Sequence, residues 1–340
     1  MKRKFNFSAT TISAIVFILF FTTEKIQAQD FHLSQYDMNP LYYNPAETGM
    51  YFGKEDTKYR FNGSYRSQWQ KLQGKPYSSI DVGYDMSLGR YGVGVLMMDH
   101  IAGTSNFATF QFLVSGAYQI TSPESKKHFL SAGLQMGVFQ KKFSYSYLLF
   151  ENQYTTTDGL DPNLSNGEDF PDLSIVRYDA NLGIHYKYLD PERRFDPSAG
   201  FSIYHVTTPN ESFTGQKSRL PMRFNGIFNC EIHINDYLTL TPNLLYMYSR
   251  KANEFNVGIL AGYAMQDSPY QMLGGLSYRN RDAVVIHLGM KQGPNVFRIS
   301  YDIVTSPLKK YGGTRGGFEM GVIYSGGMKG TGHTVRSEGI

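Results

Sequence analysis

"RFNGIFNCEIHI", residues 223–234, places Phe224, Gly226, Phe228, Cys230, Ile232 and Ile234 on one face of an extended chain. Arg223, Asn225, Ile227, Asn229, Glu231 and His233 fall on the other. Strict alternation is the signature of a β-strand with two different environments on its two sides. A charged side chain facing lipid near a bilayer midplane costs ~2–4 kcal/mol. If this strand crosses a membrane, its polar face therefore points into a lumen.

The same writing continues along the chain. Phe110, Phe112, Val114, Gly116 and Tyr118 alternate with Thr109, Gln111, Leu113, Ser115 and Ala117. Val284, Ile286, Leu288 and Met290 oppose Val285, His287, Gly289 and Lys291; Phe297, Ile299, Tyr301 and Ile303 oppose Val296, Arg298, Ser300 and Asp302. A soluble sandwich alternates too. Two features favour a membrane barrel: the apolar face recurs on nearly every strand, and tyrosines gather near strand ends, where an interfacial girdle would hold them. Tyr77, Tyr91, Tyr118, Tyr237, Tyr246, Tyr248 and Tyr324 are among these.

Strands are expected near 59–67, 77–87, 91–99, 106–119, 128–143, 176–188, 197–205, 221–234, 237–248, 254–265, 270–278, 283–292, 296–304 and 317–325. The fold class is thus all-β, an antiparallel outer-membrane β-barrel of about 14 strands, an even number that lets the sheet close with both termini on one side. Every second connection is tight, as at Gly89-Arg90, Asn235-Asp236, 266–269 and 293–295. The Asn-Asp pair suits a two-residue hairpin turn with left-handed residues. The other connections are mostly longer, with maxima at 144–175 and 206–220. Short periplasmic turns and long outer loops are the outer-membrane pattern.

Residues 1–28 read as a secretory signal peptide: Lys2-Arg3-Lys4, an apolar run from Ile12 to Phe21, then Ile26-Gln27-Ala28 as a cleavage signal. The formal charge of +4 misleads, because four basic residues and Glu24 in the leader account for +3 of it. A mature chain near neutrality gives no electrostatic support to a nucleic-acid partner. Cys230 is the only cysteine, so no internal disulfide can form. The tail "GGMKGTGHTVRSEGI", 326–340, is glycine-rich and charged, the composition of a flexible extension.

Between leader and barrel, residues 29–58 form a separate piece. "SQYDMNPLYYNPAETG", 34–49, has two Asn-Pro steps bracketing Leu41-Tyr42-Tyr43. A proline stiffens itself and turns its predecessor away from helix. Since the segment precedes the first strand, it is expected to begin on the periplasmic side. Gln35, Tyr36, Asn39, Pro40, Tyr42, Tyr43, Asn44 and Pro45 are the candidate residues. They suit a plug folded up into the lumen, a docking element for a periplasmic partner, or a structural lid packed under the barrel.

Other candidates read as ordinary polar surface or lining. His100, His185, His205, His233 and His287 lie on or near different strands with no nucleophile motif beside them, and are taken as mostly lumen-facing. In "DGLDPNLSNGEDFPDL", 158–173, the oxygens of Asp158, Asp161, Asn163, Ser165, Asn166, Glu168, Asp169 and Asp172 approach a calcium-loop spacing. Pro162 interrupts it and Gly167 falls one place late, so a solvated outer loop is the preferred reading and calcium the lesser one. "DPERRFD", 190–196, is a solvated turn. No catalytic residue, cofactor or metal site is assigned.

Six stretches carry a family resemblance: "FHLSQYDMNPLYYNPAETG" (31–49), "YRSQWQKLQGKP" (65–76), "GVGVLMMDHIAGTS" (92–105), "SAGLQMGVFQKKFSY" (131–145), "LGGLSYRNRDAVVIHLG" (273–289) and "ISYDIVTSPLKKYGGTRGGFEMGVIY" (299–324). They resemble, in order, the PorP/SprF family of type IX secretion-associated outer-membrane proteins of Bacteroidetes. The resemblance implies a non-catalytic barrel, 59–325, at the cell outer membrane. It implies partners too: a large secreted type IX cargo such as a gliding adhesin, periplasmic secretion or motor-associated components, and outer-membrane lipid. The alternative is a FadL-like transporter or porin for small solutes, which would need an apolar path through the interior.

Overall fold

The computed structural model describes residues 31–52, 57–68, 76–103, 107–122, 124–144, 150–155, 159–161, 164–165, 167, 173–250, 252–307, 309 and 315–327. The leader, most of the 158–172 loop and the tail beyond residue 327 lie outside the described residues.

In chain order the strands are β1 (Tyr59–Gln68), β2 (Tyr77–Leu88), β3 (Tyr91–Ala102), β4 (Phe107–Gln119), β5 (His128–Lys142), the short β6 (Tyr154–Thr155) and β7 (Gly159–Leu160), and β8 (Ser174–Tyr188). They continue as β9 (Phe195–Tyr204), β10 (Arg223–His233), β11 (Leu238–Ser249), β12 (Ala252–Ala264), β13 (Tyr270–Arg279), β14 (Ala283–Gln292), β15 (Asn295–Val304) and β16 (Arg315–Gly326). The small pair β6–β7 stands apart as a hairpin in the longest loop. The other 14 strands form one closed antiparallel barrel, each paired with its chain neighbours and β1 with β16. That ladder runs from Tyr59↔Gly326 to Gln68↔Gly317. All expected strands are present, and every strand end lies within three residues of the expected one.

Alternation explains the wall. Phe112, Val114, Phe228, Leu288, Phe297 and Met320 point outward and are exposed, whereas Ser115, Asn225, Arg298, Asp302 and Glu319 point inward and are buried. An uncharged apolar band outside and paired backbone groups inside are what lipid requires of a closed sheet. Among the described residues no helix is long and apolar enough to cross a membrane.

Turns at 89–90, 120–127, 189–194, 234–237, 265–269 and 293–294 share one end of the barrel; 143–173 and 205–222 are at the other. Two connections on the long-loop end, 250–251 and 280–282, are brief. One local expectation fails. Neither Asn235 nor Asp236 is left-handed. Instead the Asn235 side-chain oxygen accepts the N–H groups of Tyr237 and Leu238 at 3.0 and 2.8 Å, a side-chain-capped turn that needs no positive φ.

The lumen is not uniformly polar. Leu96, Met98, Leu113, Ile227, Leu245 and Met247 project inward from β3, β4, β10 and β11 and pack on Leu33, Tyr36, Leu41, Tyr42 and Tyr43. The hydrophobic core therefore lies between the wall and the segment preceding β1. A second cluster, Met50 and Phe52 against Ala117, Phe129 and Leu189, sits near the short-turn end.

Candidate functional site: the lumenal segment and the vestibule above it

The segment is irregular because its sequence interrupts helix twice. Asn39 and Asn44 are non-helical, and Pro40 and Pro45 start one-turn helical pieces at Pro40–Tyr43 and Pro45–Glu47. The Asn44 side chain accepts the Ala46 N–H at 3.0 Å, and Gly49 takes φ 63° to end the run. A buried irregular backbone must find partners for its polar groups, and here the wall supplies them. Gln135 Nε2 and Tyr204 OH donate to the Leu41 carbonyl at 3.1 and 3.2 Å. Ser202 and Asn225 donate to that of Tyr43 at 2.6 and 3.2 Å, and Ser131 to that of Ala46 at 2.7 Å.

All eight candidate residues lie inside the closed wall and are fully or almost fully buried. Gln35 donates to Ser300 Oγ and the Glu319 carbonyl, both at 3.1 Å, and accepts from Arg298 Nε at 3.2 Å. Tyr36 OH donates to Asn243 at 3.1 Å. Asn39 donates to Ser64 at 3.1 Å and accepts from Asn62 at 2.9 Å. Asn44 Nδ2 donates to the Ile184 carbonyl at 2.9 Å. The Tyr43 hydroxyl accepts the Leu33 N–H at 2.9 Å. Arg223 donates to Tyr42 OH at 2.9 Å, and its guanidinium lies 4.8 Å from the Tyr42 ring centre and 4.4 Å from that of Tyr204. Pro45 abuts Gly133 so closely that a Cβ there would overlap the Pro45 carbonyl.

The strongest anchor is ionic. Glu319 on β16 accepts the backbone N–H groups of Ser34 and Gln35 at 2.7 and 2.9 Å, and Arg66 Nη1 on β1 at 2.9 Å. Asp302 on β15 receives Arg66 Nη2 and Arg279 Nη2, each at 2.7 Å, and the Ser34 hydroxyl at 2.8 Å. Arg279 also reaches Asp282 at 2.6 Å in the connection to β14. Burial alone would raise the Asp282 carboxyl, but the Arg279 charge outweighs it and holds the group below its usual range. At the other end Asp85 accepts the Gly49 N–H at 2.6 Å and Arg60 at 2.8 Å. Each charge is paired and hydrogen-bonded, the condition under which buried ions are tolerated.

The sequence reading did not single out these wall residues. Alternation already placed Arg298 and Asp302 on an inward face, but which charge meets which depends on strands far apart in sequence. The same holds for a cavity of about 1090 Å³ above the segment on the long-loop side. Phe31 and Tyr42 contribute to it from the segment, Phe107, Phe139 and Tyr204 from the wall, and Phe213 from the loop 205–222. Phe213 stands edge-on to Phe143 at 4.9 Å, and Lys141 pairs with Glu211, so this loop folds over the vestibule.

The histidines do not converge. His100 bonds Ser79 at 2.6 Å, His287 bonds Ser277 at 3.0 Å, and His205, in the loop, pairs with Asp179 at 2.6 Å. Among the described residues no group of three or more His, Cys, Asp or Glu is placed to hold a metal ion.

A closed barrel with an apolar exterior, short turns at one end, long loops at the other and residues 33–50 packed against its inner face is an outer-membrane β-barrel. More specifically, the chain belongs to the PorP/SprF family, whose model, described as type IX secretion system membrane protein PorP/SprF, matches residues 25–324. Family and fold are both of non-enzymatic type. None of the curated proteins matches this chain. Among solved structures, it is similar to a TodX deltaS2S3 mutant monoaromatic hydrocarbon channel, at 10% identity and TM-score 0.50 over 85% of this chain and 94% of that one. The CymD monoaromatic hydrocarbon channel aligns at 11% identity and TM-score 0.48, over 85% and 98%. A FadL homologue of Pseudomonas aeruginosa aligns at 12% and 0.45, over 83% and 98%. The likeness is one of fold.

Proposed function

We propose that this protein is a plugged, non-catalytic barrel that holds or handles one large secreted type IX cargo protein, such as a gliding adhesin, at the cell outer membrane. The observation that carries the reading is the filled lumen. Residues 33–50 bond to strands all round the wall, which leaves interaction at the two faces as the work of the barrel. The long loops and the vestibule offer an aromatic concave surface to an exported partner, the kind of surface that protein anchors use. The short turns, with Met50 and Phe52 at the lower end of the segment, face periplasmic secretion or motor-associated components. Removal of a leader ending at Ala28 precedes this arrangement.

The aromatic vestibule also suits a second reading, capture of a small apolar solute for transport. A crosslinked pull-down of the epitope-tagged protein from its native outer membrane, read by mass spectrometry, separates the two. The expected result is one large secreted protein together with periplasmic secretion components. Recovery of the barrel alone, with loss of hydrophobic-solute uptake on deletion, would replace the first reading by the second.

A further inference from the structure

The segment does not stay at the end of the barrel where it joins β1. Lys58 and Tyr59 are at the short-turn end, where the Lys58 N–H bonds the Gly326 carbonyl at 2.8 Å and Tyr59 faces Met86 and Gly326. Phe52 is there too, its ring 4.9 Å from Phe129 and its carbonyl 3.3 Å from Lys187 Nζ. The other end of the segment is at the long-loop face. His32 Nδ1 lies 3.1 Å from Glu254, beside the 250–251 connection, and Nε2 lies 3.8 Å from Asp282 in the 280–282 connection. Phe31 packs 4.6 Å from the His100 ring, near the last residues of β3. Between these ends the chain traverses the lumen.

We infer that the barrel closes around its own amino-terminal segment, which thereby runs the length of the lumen and presents Phe31 and His32 to the vestibule on the long-loop side. Two observations favour this order of events. The wall is a complete ring, so a segment attached to β1 at one end and emerging at the other cannot be drawn in afterwards without pulling the amino-terminus through the lumen. The seam that completes the ring, β1 against β16, is also where the segment is most tightly held: Ser34 and Gln35 bond Glu319 on β16, and Asn39 bonds Ser64 and Asn62 on β1. The β1–β16 ladder thus has the segment as its inner support. A partner outside the cell that enters the vestibule would touch Phe31, His32 and Tyr42 directly, while the same piece of chain ends in Met50 and Phe52 at the opposite face.

The inference rests on the proposed orientation, long loops outward, and the test keeps the two apart. In a Cys230→Ser background, Thr214→Cys in the long loop and Asp236→Cys in a short turn report orientation through a membrane-impermeant maleimide on intact cells. A peptide tag inserted between Asp30 and Phe31, and separately His32→Cys, report the segment. The expected result is labelling of Thr214→Cys and antibody binding to the tag on intact cells, with Asp236→Cys labelled only once the outer membrane is opened. His32→Cys should follow Thr214→Cys. A tag detected only after opening, while Thr214→Cys labels from outside, would overturn the inference and leave the orientation standing. Labelling of Asp236→Cys instead of Thr214→Cys on intact cells would overturn the orientation.

Discussion

The Arg66 guanidinium on the first strand lies 2.9 Å from the Glu319 carboxylate on the last, and the same carboxylate accepts two backbone N–H groups of the segment between them. Both side chains are buried, Arg66 at 1% and Glu319 at 0% exposure. The pair therefore joins three things at once: the closing seam of the sheet, the inner segment, and a carboxylate that would be costly if left alone.

Removing one partner of a buried ion pair destabilises by on the order of 3 kcal/mol, because the other charge is left uncompensated. Glu319→Gln is expected to lower the unfolding temperature of the purified barrel in detergent, seen as earlier loss of the compact band in a gel heated stepwise. Glu319→Leu should lose more heat resistance than Glu319→Gln, because Arg66 keeps Asp302 in both while only the leucine leaves the Ser34 and Gln35 N–H groups with no acceptor.

Gly133 and Gly92 are close-approach positions: a Cβ would overlap the Pro45 carbonyl at the first and the Thr48 carbonyl at the second. Gly133→Val leaves the strand pattern intact and puts the clash on the segment. The expected outcome is an assembled barrel whose residues 31–52 become sensitive to added protease, as read by mass spectrometry of the released peptides. Protection equal to that of the unaltered protein would count against the packing described.

The contacts that hold the vestibule loop include Phe213 against Phe143 and Phe107, and the Lys141–Glu211 pair. An edge-on aromatic contact contributes about 0.5–1.5 kcal/mol beyond its buried area. Phe213→Ala should make the 206–220 loop several times more rapidly cleaved on intact cells without changing the heat resistance of the barrel. A cargo anchored there should also be retained less well, measured as the cell-associated fraction of the secreted partner.

The strands were legible because lipid on one side and a lumen on the other impose a two-residue period that turns and glycines do not blur. Leu113 and Ile227 show the limit of that reading. Both fall on faces otherwise polar, and both point inward as the period requires, yet they line an apolar patch that exists only because Tyr42 and Tyr43 fill the lumen beside them. The segment was legible as a stiff, tyrosine-rich piece from its two Asn-Pro steps. Its course through the barrel was not, since the sequence shows only where it joins β1. The Arg66–Glu319 contact spans 253 positions, and the vestibule is assembled from several strands and a loop, so neither leaves a spacing signal.

The central claim is that the lumen is closed by the chain's own segment and that the protein works by contact and not by conduction. The most direct measurement is the conductance of the purified full chain in planar lipid bilayers, beside a variant lacking residues 33–50. The expected result is no steady current from the full chain and large, stable channel steps from the shortened one. A full chain that conducts as the shortened one does would contradict the account.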